Sequence, residues 1–164
     1  MQSFKHRKLI MFKTVIISSI LGLFSVTAYA ADMQQMQVAC DAGNGLACGE
    51  LAARYYCSPW YEFDCVKGRE LFEKSCNYKI ANACGALADL YERGKGGDKD
   101  VNKAIETYEK ACNLGSNEYC YILASRYERD KHAEVNIPKA KEILKKLCDK
   151  KYQDSCIRLN NIEE

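Results

Sequence analysis

The stretch Cys76-Asn-Tyr-Lys-Ile-Ala-Asn-Ala-Cys84-Gly-Ala-Leu87-Ala88-Asp-Leu-Tyr91-Glu decides the fold. Cys84, Leu87, Ala88 and Tyr91 fall at i, i+3, i+4 and i+7, the apolar stripe of an amphipathic helix. Set in register without gaps, the pattern recurs as CDAGNGLACGELAARYY from Cys40, CNLGSNEYCYILASRYE from Cys112 and CDKKYQDSCIRLNN from Cys148. Each copy of the register begins at Cys40, Cys76, Cys112 or Cys148, 36 residues after the last. Leu51, Leu87, Leu123 and Leu159 align, as do Tyr55, Tyr91 and Tyr127. A period of this length is the mark of stacked helical hairpins.

Working outward, a second stripe follows the glycine-rich stretch Gly94–Gly97: Val101, Ala104, Ile105, Tyr108, Ala111, Cys112. In the next unit Pro138 stands near the start of the matching helix, where a missing N–H costs little. Each unit therefore reads as helix A, loop, helix B. Residues 31–39 look like a B-type lead-in helix with Met33, Met36 and Ala39 on one side. The expected organisation is an all-α, α/α solenoid with units at 40–75, 76–111 and 112–147 and a closing half-unit at 148–164.

All ten cysteines follow residue 30, and taken consecutively they form five pairs, each eight apart: Cys40/Cys48, Cys57/Cys65, Cys76/Cys84, Cys112/Cys120 and Cys148/Cys156. Eight residues along one unbroken helix span about 12 Å, whereas a disulfide needs Cα atoms within about 7 Å. Each bonded pair must therefore lie on two elements joined by a turn, and DAGNGLA, NLGSNEY and SPWYEFD all contain turn formers. Four of the pairs would staple the end of a B helix to the next A helix. Zinc would want C-x2-C or histidine partners, and a thioredoxin-like centre would want C-x-x-C. Neither is present, so no metal or cofactor is expected.

Residues 1–30 read as a secretory signal. Lys5, Arg7, Lys8 and Lys13 precede an apolar run from Thr14 to Val26, then Ala28-Tyr29-Ala30 offers a cleavage site after Ala30. The run is too short for a stable bilayer span. Export to the periplasm or beyond fits the cysteine framework, since such bridges persist in oxidising compartments. Removing the signal takes four positive charges and no negative ones, leaving 20 basic and 22 acidic residues. A near-neutral, mixed-sign chain gives no footprint for nucleic acid or anionic membranes.

Leu87-Ala-Asp-Leu-Tyr91-Glu-Arg-Gly94, Val101-Asn-Lys103-Ala104 and Tyr108-Glu-Lys110-Ala111-Cys112-Asn-Leu-Gly115 together resemble the Sel-like repeat, a relative of the tetratricopeptide repeat. The cysteine pairs resemble the disulfide-bearing branch known as the Helicobacter cysteine-rich protein family. The resemblance implies a solenoid acting as an exported interaction module. It also implies an alternative, because penicillin binding and weak β-lactam hydrolysis are attributed to members of that branch.

Two surfaces stand out as candidate binding sites. The fifth cysteine pair breaks the register and encloses Ser-Pro-Trp-Tyr-Glu-Phe-Asp, so Trp60, Tyr61 and Phe63 would form a constrained aromatic contact surface. The A-helix positions facing away from the stripe are Ala53, Asp89 and Ser125, then Arg54, Leu90 and Arg126. Solenoids bind along such an inner face.

Catalytic residues are not apparent. His132, the one histidine after residue 30, sits in a charged loop beside Lys131. Ser-x-x-Lys and Lys-Thr-Gly, which serine β-lactamases use, are absent, as are GxSxG, HExxH and the phosphate-binding glycine motifs. The sequence reads as a monomeric, exported scaffold that binds a protein or peptide, in a periplasmic-immunity, envelope-assembly or secreted host-interaction role.

Overall fold

The computed structural model describes residues 31–55, 64–129 and 135–163. The signal-like segment, Cys57, the aromatic trio Trp60, Tyr61 and Phe63, and His132 lie outside the described residues. Among the described residues eight helices follow one another: α1 (31–41), α2 (Gly45–Arg54), α3 (Cys65–Asn77), α4 (Ala81–Arg93), α5 (Val101–Asn113), α6 (Asn117–Arg129), α7 (Ile137–Asp149) and α8 (Gln153–Glu163). No strand occurs among the described residues. Each helix packs on its sequence neighbours, α2 on α3, α4 on α5 and α6 on α7 within hairpins, and α3 on α4, α5 on α6 and α7 on α8 between them. The result is an α/α solenoid in which even-numbered helices are A and odd-numbered helices are B.

Helix starts repeat with the sequence period. Asp64, Asp100 and Asn136 cap the B helices α3, α5 and α7, their side chains accepting from the backbone N–H of Lys67, Lys103 and Lys139. Each cap offsets one of the donors a helix leaves unmatched at its start. Before α5 and α7 the chain is tied back in the same way, with Asp100 N–H donating to Tyr91 C=O and Asn136 N–H to Tyr127 C=O.

The turn from B to the next A is the most regular feature of the molecule. Gly43, Lys79, Gly115 and Lys151, each 36 positions apart, all take positive φ (94°, 64°, 98° and 65°). Each donates its N–H to the carbonyl of the cysteine three residues before it, and the next residue donates to the carbonyl five back. This left-handed closure reverses the chain within a few residues. The four described bridges span these four turns: Cys40–Cys48, Cys76–Cys84, Cys112–Cys120 and Cys148–Cys156, with Cα separations of 4.6, 4.6, 4.5 and 4.8 Å. The expected neighbour pairing therefore holds at every described B–A junction. Cys57 lies outside the described residues.

The core runs the length of the stack. Leu51, Leu87, Leu123, Tyr91, Tyr127 and Tyr108 are buried, with Ala52, Ala88, Ala104, Ala124 and Ala140 where helices approach closely. Met33 and Met36 of the lead-in helix pack against it. One close approach depends on a missing side chain: a Cβ on Gly85 would fall inside the ring of Tyr119 on the next A helix. One expectation fails. Leu90 is 2% exposed rather than facing a binding surface. α4 is packed by α3 on one side and α5 on the other, so its buried arc is wider than the simple stripe.

Left-handed backbone costs a residue with a Cβ roughly 1–2 kcal/mol, and glycine escapes that cost. Lys79→Gly and Lys151→Gly should each stabilise the oxidised protein by about 1 kcal/mol in guanidinium denaturation. Lys150→Gly, one residue earlier at φ −80°, should give no gain. Equal responses at positions 150 and 151 would show that the turn is not strained.

Candidate functional site

The A-helix positions singled out from the sequence fall into two groups. Ala53 is exposed, while Asp89 and Ser125 are half-buried. Asp89 accepts from Nε of Arg93 at 2.8 Å, one turn along the same helix, and the Ser125 hydroxyl donates to Tyr121 C=O at 3.2 Å. The second row, Arg54 and Arg126, reaches back to the preceding A-type or lead-in helix instead. Arg54 pairs with Asp32 of α1 at 3.1 Å, and Arg126 donates from Nη2 to Glu92 of α4 at 2.9 Å. Position 54/90/126 is thus a junction position, occupied by Leu90 where the neighbours suit an apolar side chain.

Around Arg126 the structure assembles a cluster that the sequence did not single out. Glu92 accepts from Arg126 and also from the hydroxyl of Tyr108 at 3.2 Å. Burial pushes the Tyr108 hydroxyl well above its ordinary value, and the negative charge of Glu92 adds to the effect. The Tyr108 ring stacks on Tyr119, centroids 6.1 Å apart. Nε of Arg126 is buried without a partner, although its other end is tied to Glu92.

The next junction repeats the theme more tightly. Arg158 of α8 grips Glu128 of α6 with Nε and Nη2, at 2.9 to 3.1 Å, and lies over the ring of Tyr121. Their side chains are only 16% and 8% exposed. The register signal for this, a glutamate at 92 and again at 128, was present in the sequence but looked like ordinary helix surface.

On the opposite, B-helix side, Tyr91 lies between Arg69 and Lys103, each within 4.5 Å of its ring centre. One unit on, Glu109 of α5 accepts from both the Tyr127 hydroxyl and Lys139 Nζ. Burial would raise the Glu109 carboxyl, but these two hydrogen bonds outweigh it and hold the group below its ordinary value. The hydrogen bond to Glu109 holds Lys139 above its own. Beside this cluster lies a groove of about 520 Å³ between α5 and α7, with Lys139, Lys146 and Lys150 on its edge. Nothing in the sequence reading pointed to it.

No group of three or more potential metal ligands occurs among the described residues, and no helix among them is long and apolar enough to cross a membrane. What the geometry offers is a stiff, bridged stack with polar rows and a groove.

A family model for the Sel1 repeat matches residues 46–77, 81–116 and 117–152. The chain belongs to the Sel1 repeat family. Its matched repeats coincide with the hairpins α2–α3, α4–α5 and α6–α7. A Sel1 repeat protein from Oxalobacter formigenes superposes with TM-score 0.67 at 23% identity, covering 79% of this chain and 98% of that one. The protein c5321 of uropathogenic Escherichia coli, described as a protective antigen with an SLR fold, gives TM-score 0.69 at 19% identity, over 79% of this chain but 28% of its own. Helicobacter pylori cysteine-rich protein B gives TM-score 0.58 at 28% identity, over 77% and 91% of the two chains. A search of curated proteins by sequence returns no match. Sel1 repeats, like their tetratricopeptide relatives, generally mediate protein–protein interaction. Bridges at each described junction, as expected for the Helicobacter cysteine-rich branch, are the pattern of an extracytoplasmic protein.

Removing one partner of a buried ion pair strands the other charge. Arg158→Ala should therefore cost about 3 kcal/mol in chemical denaturation, while a paired Arg158→Leu/Glu128→Leu variant should recover most of it. Additive losses in the double variant would contradict a coupled pair. The Glu109 cluster gives a pH signature. A carboxyl held below its ordinary value contributes stability in full above the ordinary carboxylate range and loses it as pH falls below that range through its own lowered value. Lys139, held above its ordinary value, loses its contribution only as pH rises past the lysine range. The difference in denaturation midpoint between the native protein and Glu109→Gln should accordingly be present at neutral pH and shrink as pH falls below the ordinary carboxylate range.

Proposed function

We propose that this Sel1 repeat protein is an exported, disulfide-stabilised scaffold that binds another protein along its A-helix face, aided by the aromatic loop carrying Trp60, Tyr61 and Phe63. The observation that carries this reading is the restraint at successive described junctions. A bridge and a left-handed turn join each B helix to the next A helix. Ion pairs from Arg126 and Arg158 then tie neighbouring A helices together. A surface held in place before its partner arrives loses little freedom on binding, which favours affinity.

Asp89 and Ser125 supply half-buried polar contacts on that face, and Arg54 and Arg126 supply cationic edges beside it. The aromatic residues are of the type that anchors interfaces. Periplasmic immunity, envelope assembly and host interaction all fit an extracytoplasmic module of this kind.

The test is capture by immobilised, oxidised protein from envelope and host-surface fractions, comparing native protein with Trp60→Ala/Tyr61→Ala and with Ser125→Arg. Both variants should lose the captured partner with helicity unchanged. Undiminished capture by both would remove the assigned surface. The same preparation should not turn over a chromogenic β-lactam. Saturable hydrolysis that survives repurification would replace binding with the alternative carried by the family resemblance.

A further inference from the structure

Whole-chain charge hides a local surplus. Residues 137–151 hold six lysines (139, 141, 145, 146, 150 and 151) against Glu142 and Asp149. Three of these, Lys139, Lys146 and Lys150, border the groove between α5 and α7, whose volume is about 520 Å³. That size lies within the range of ligand-binding clefts. Its lining includes Leu123, Ile143 and Leu147 beside the Cys112–Cys120 bridge.

The charges are unequally matched. Lys139 is held by Glu109. Lys146 pairs with Glu142, but the two side chains are 70% and 63% exposed, so the pair is weak and easily exchanged. Lys150 makes no ion pair among the described residues. Glu109 and Glu142 also line the groove, but each is already engaged by a lysine, so positive charge remains at the Lys150 end beside the half-buried Ile143.

Its shape selects among anions. From Lys139 to Lys150 along α7 is about 16 Å at 1.5 Å per residue, a trench suited to about five residues of extended chain. Lys146 and Lys150, one helical turn apart, are separated along the axis by about 6 Å. Alternate residues of an extended chain are separated by about 6.6 Å. Side chains of such a chain alternate in direction, so carboxylates at alternate positions can meet both lysines while the side chains between them point away from α7.

We propose that the α5–α7 groove binds a short, extended segment of a partner protein with acidic residues at alternate positions. The site belongs to one unit rather than to the repeat as such. Ile143, Lys146, Leu147 and Lys150 correspond to Thr107, Lys110, Ala111 and Leu114 one unit earlier, a smaller and less cationic set. It lies between two B helices with Cys120 and Leu123 of α6 at its base, and its lining includes none of the A-helix row Ala53, Asp89 and Ser125.

The probe is an acetylated, amidated pentapeptide alternating glutamate and leucine, titrated calorimetrically into the full oxidised chain. Binding should be saturable at one site, and Lys146→Glu/Lys150→Glu should weaken it by about tenfold or more. High salt should weaken it in the same direction. Lys95→Glu, on a distant loop, and Ser125→Arg, on the A-helix face, should leave it unchanged. Circular dichroism confirms that each variant, altered only at exposed or half-buried positions, remains folded. No saturable binding, equal affinity for native protein and the lysine variant, or equal affinity for the glutamine-for-glutamate peptide would each overturn the proposal. Competition by N-acetyl-leucine as strong as that of the peptide would overturn the peptide assignment and make the groove a small-anion site.

Discussion

The molecule depends on one junction used four times among its described residues. A helix ends, a single residue takes a left-handed conformation, and the next helix begins within a ring closed by a disulfide. Hydrogen bonds across the turn return the last carbonyls of helix B to donors from the turn itself. The bridge lowers the entropy of the unfolded chain locally, by roughly 2–3 kcal/mol for a short ring in the chain-entropy account. Because the same ring sits at each described junction, the angle between successive units is set covalently as well as by packing. Side chains far apart in sequence, such as Glu92 and Arg126, then meet as a consequence.

The two sides of the stack are finished differently. Between successive A helices the contacts are ion pairs and rings: Glu92 with Arg126, joined by Tyr108 of the intervening B helix, and Glu128 with Arg158, which lies over Tyr121. On the B side, tyrosines of the A helices lie against basic residues of neighbouring B helices, as Tyr91 does with Arg69 and Lys103. These arrangements tighten toward the closing helix. Arg54 and Asp32 are substantially exposed, whereas Arg158 and Glu128 are nearly enclosed. The repeat supplies the positions, and individual substitutions decide how much each one contributes.

Much of the architecture was legible because it is periodic. The 36-residue cysteine register, the leucine and tyrosine stripes and the geometric need for a turn inside each cysteine pair lead directly to bridged helical hairpins. The caps at Asp64, Asp100 and Asn136 carry the same period and are legible once the helix starts are known. The left-handed turn was half visible: glycine marks it at 43 and 115, whereas Lys79 and Lys151 conceal it. Leu90 misled because a stripe describes one packed face, and α4 is packed on more than one. The lysine-edged groove was invisible to whole-chain arithmetic, since acidic residues elsewhere cancel α7. Trp60, Tyr61 and Phe63 fall outside the described residues.

The two lysines in left-handed turns carry a consequence for how the stack comes apart. At Gly43 and Gly115 the backbone adopts its required shape without steric objection. At Lys79 and Lys151 the shape is less favourable, and the covalent ring around it limits the alternatives the chain can explore. In a reducing compartment that enclosure is lost, and nothing covalent then offsets the difference between the lysine and glycine junctions. Those at Lys79 and Lys151 become the weak seams. A solenoid held together by nearest-neighbour contacts parts at its weakest seam. The seam at Lys79 lies between the first and second matched repeats, and that at Lys151 lies before the closing helix. Reduction would thus divide the rod into segments, leaving α4 to α7 as the most persistent block.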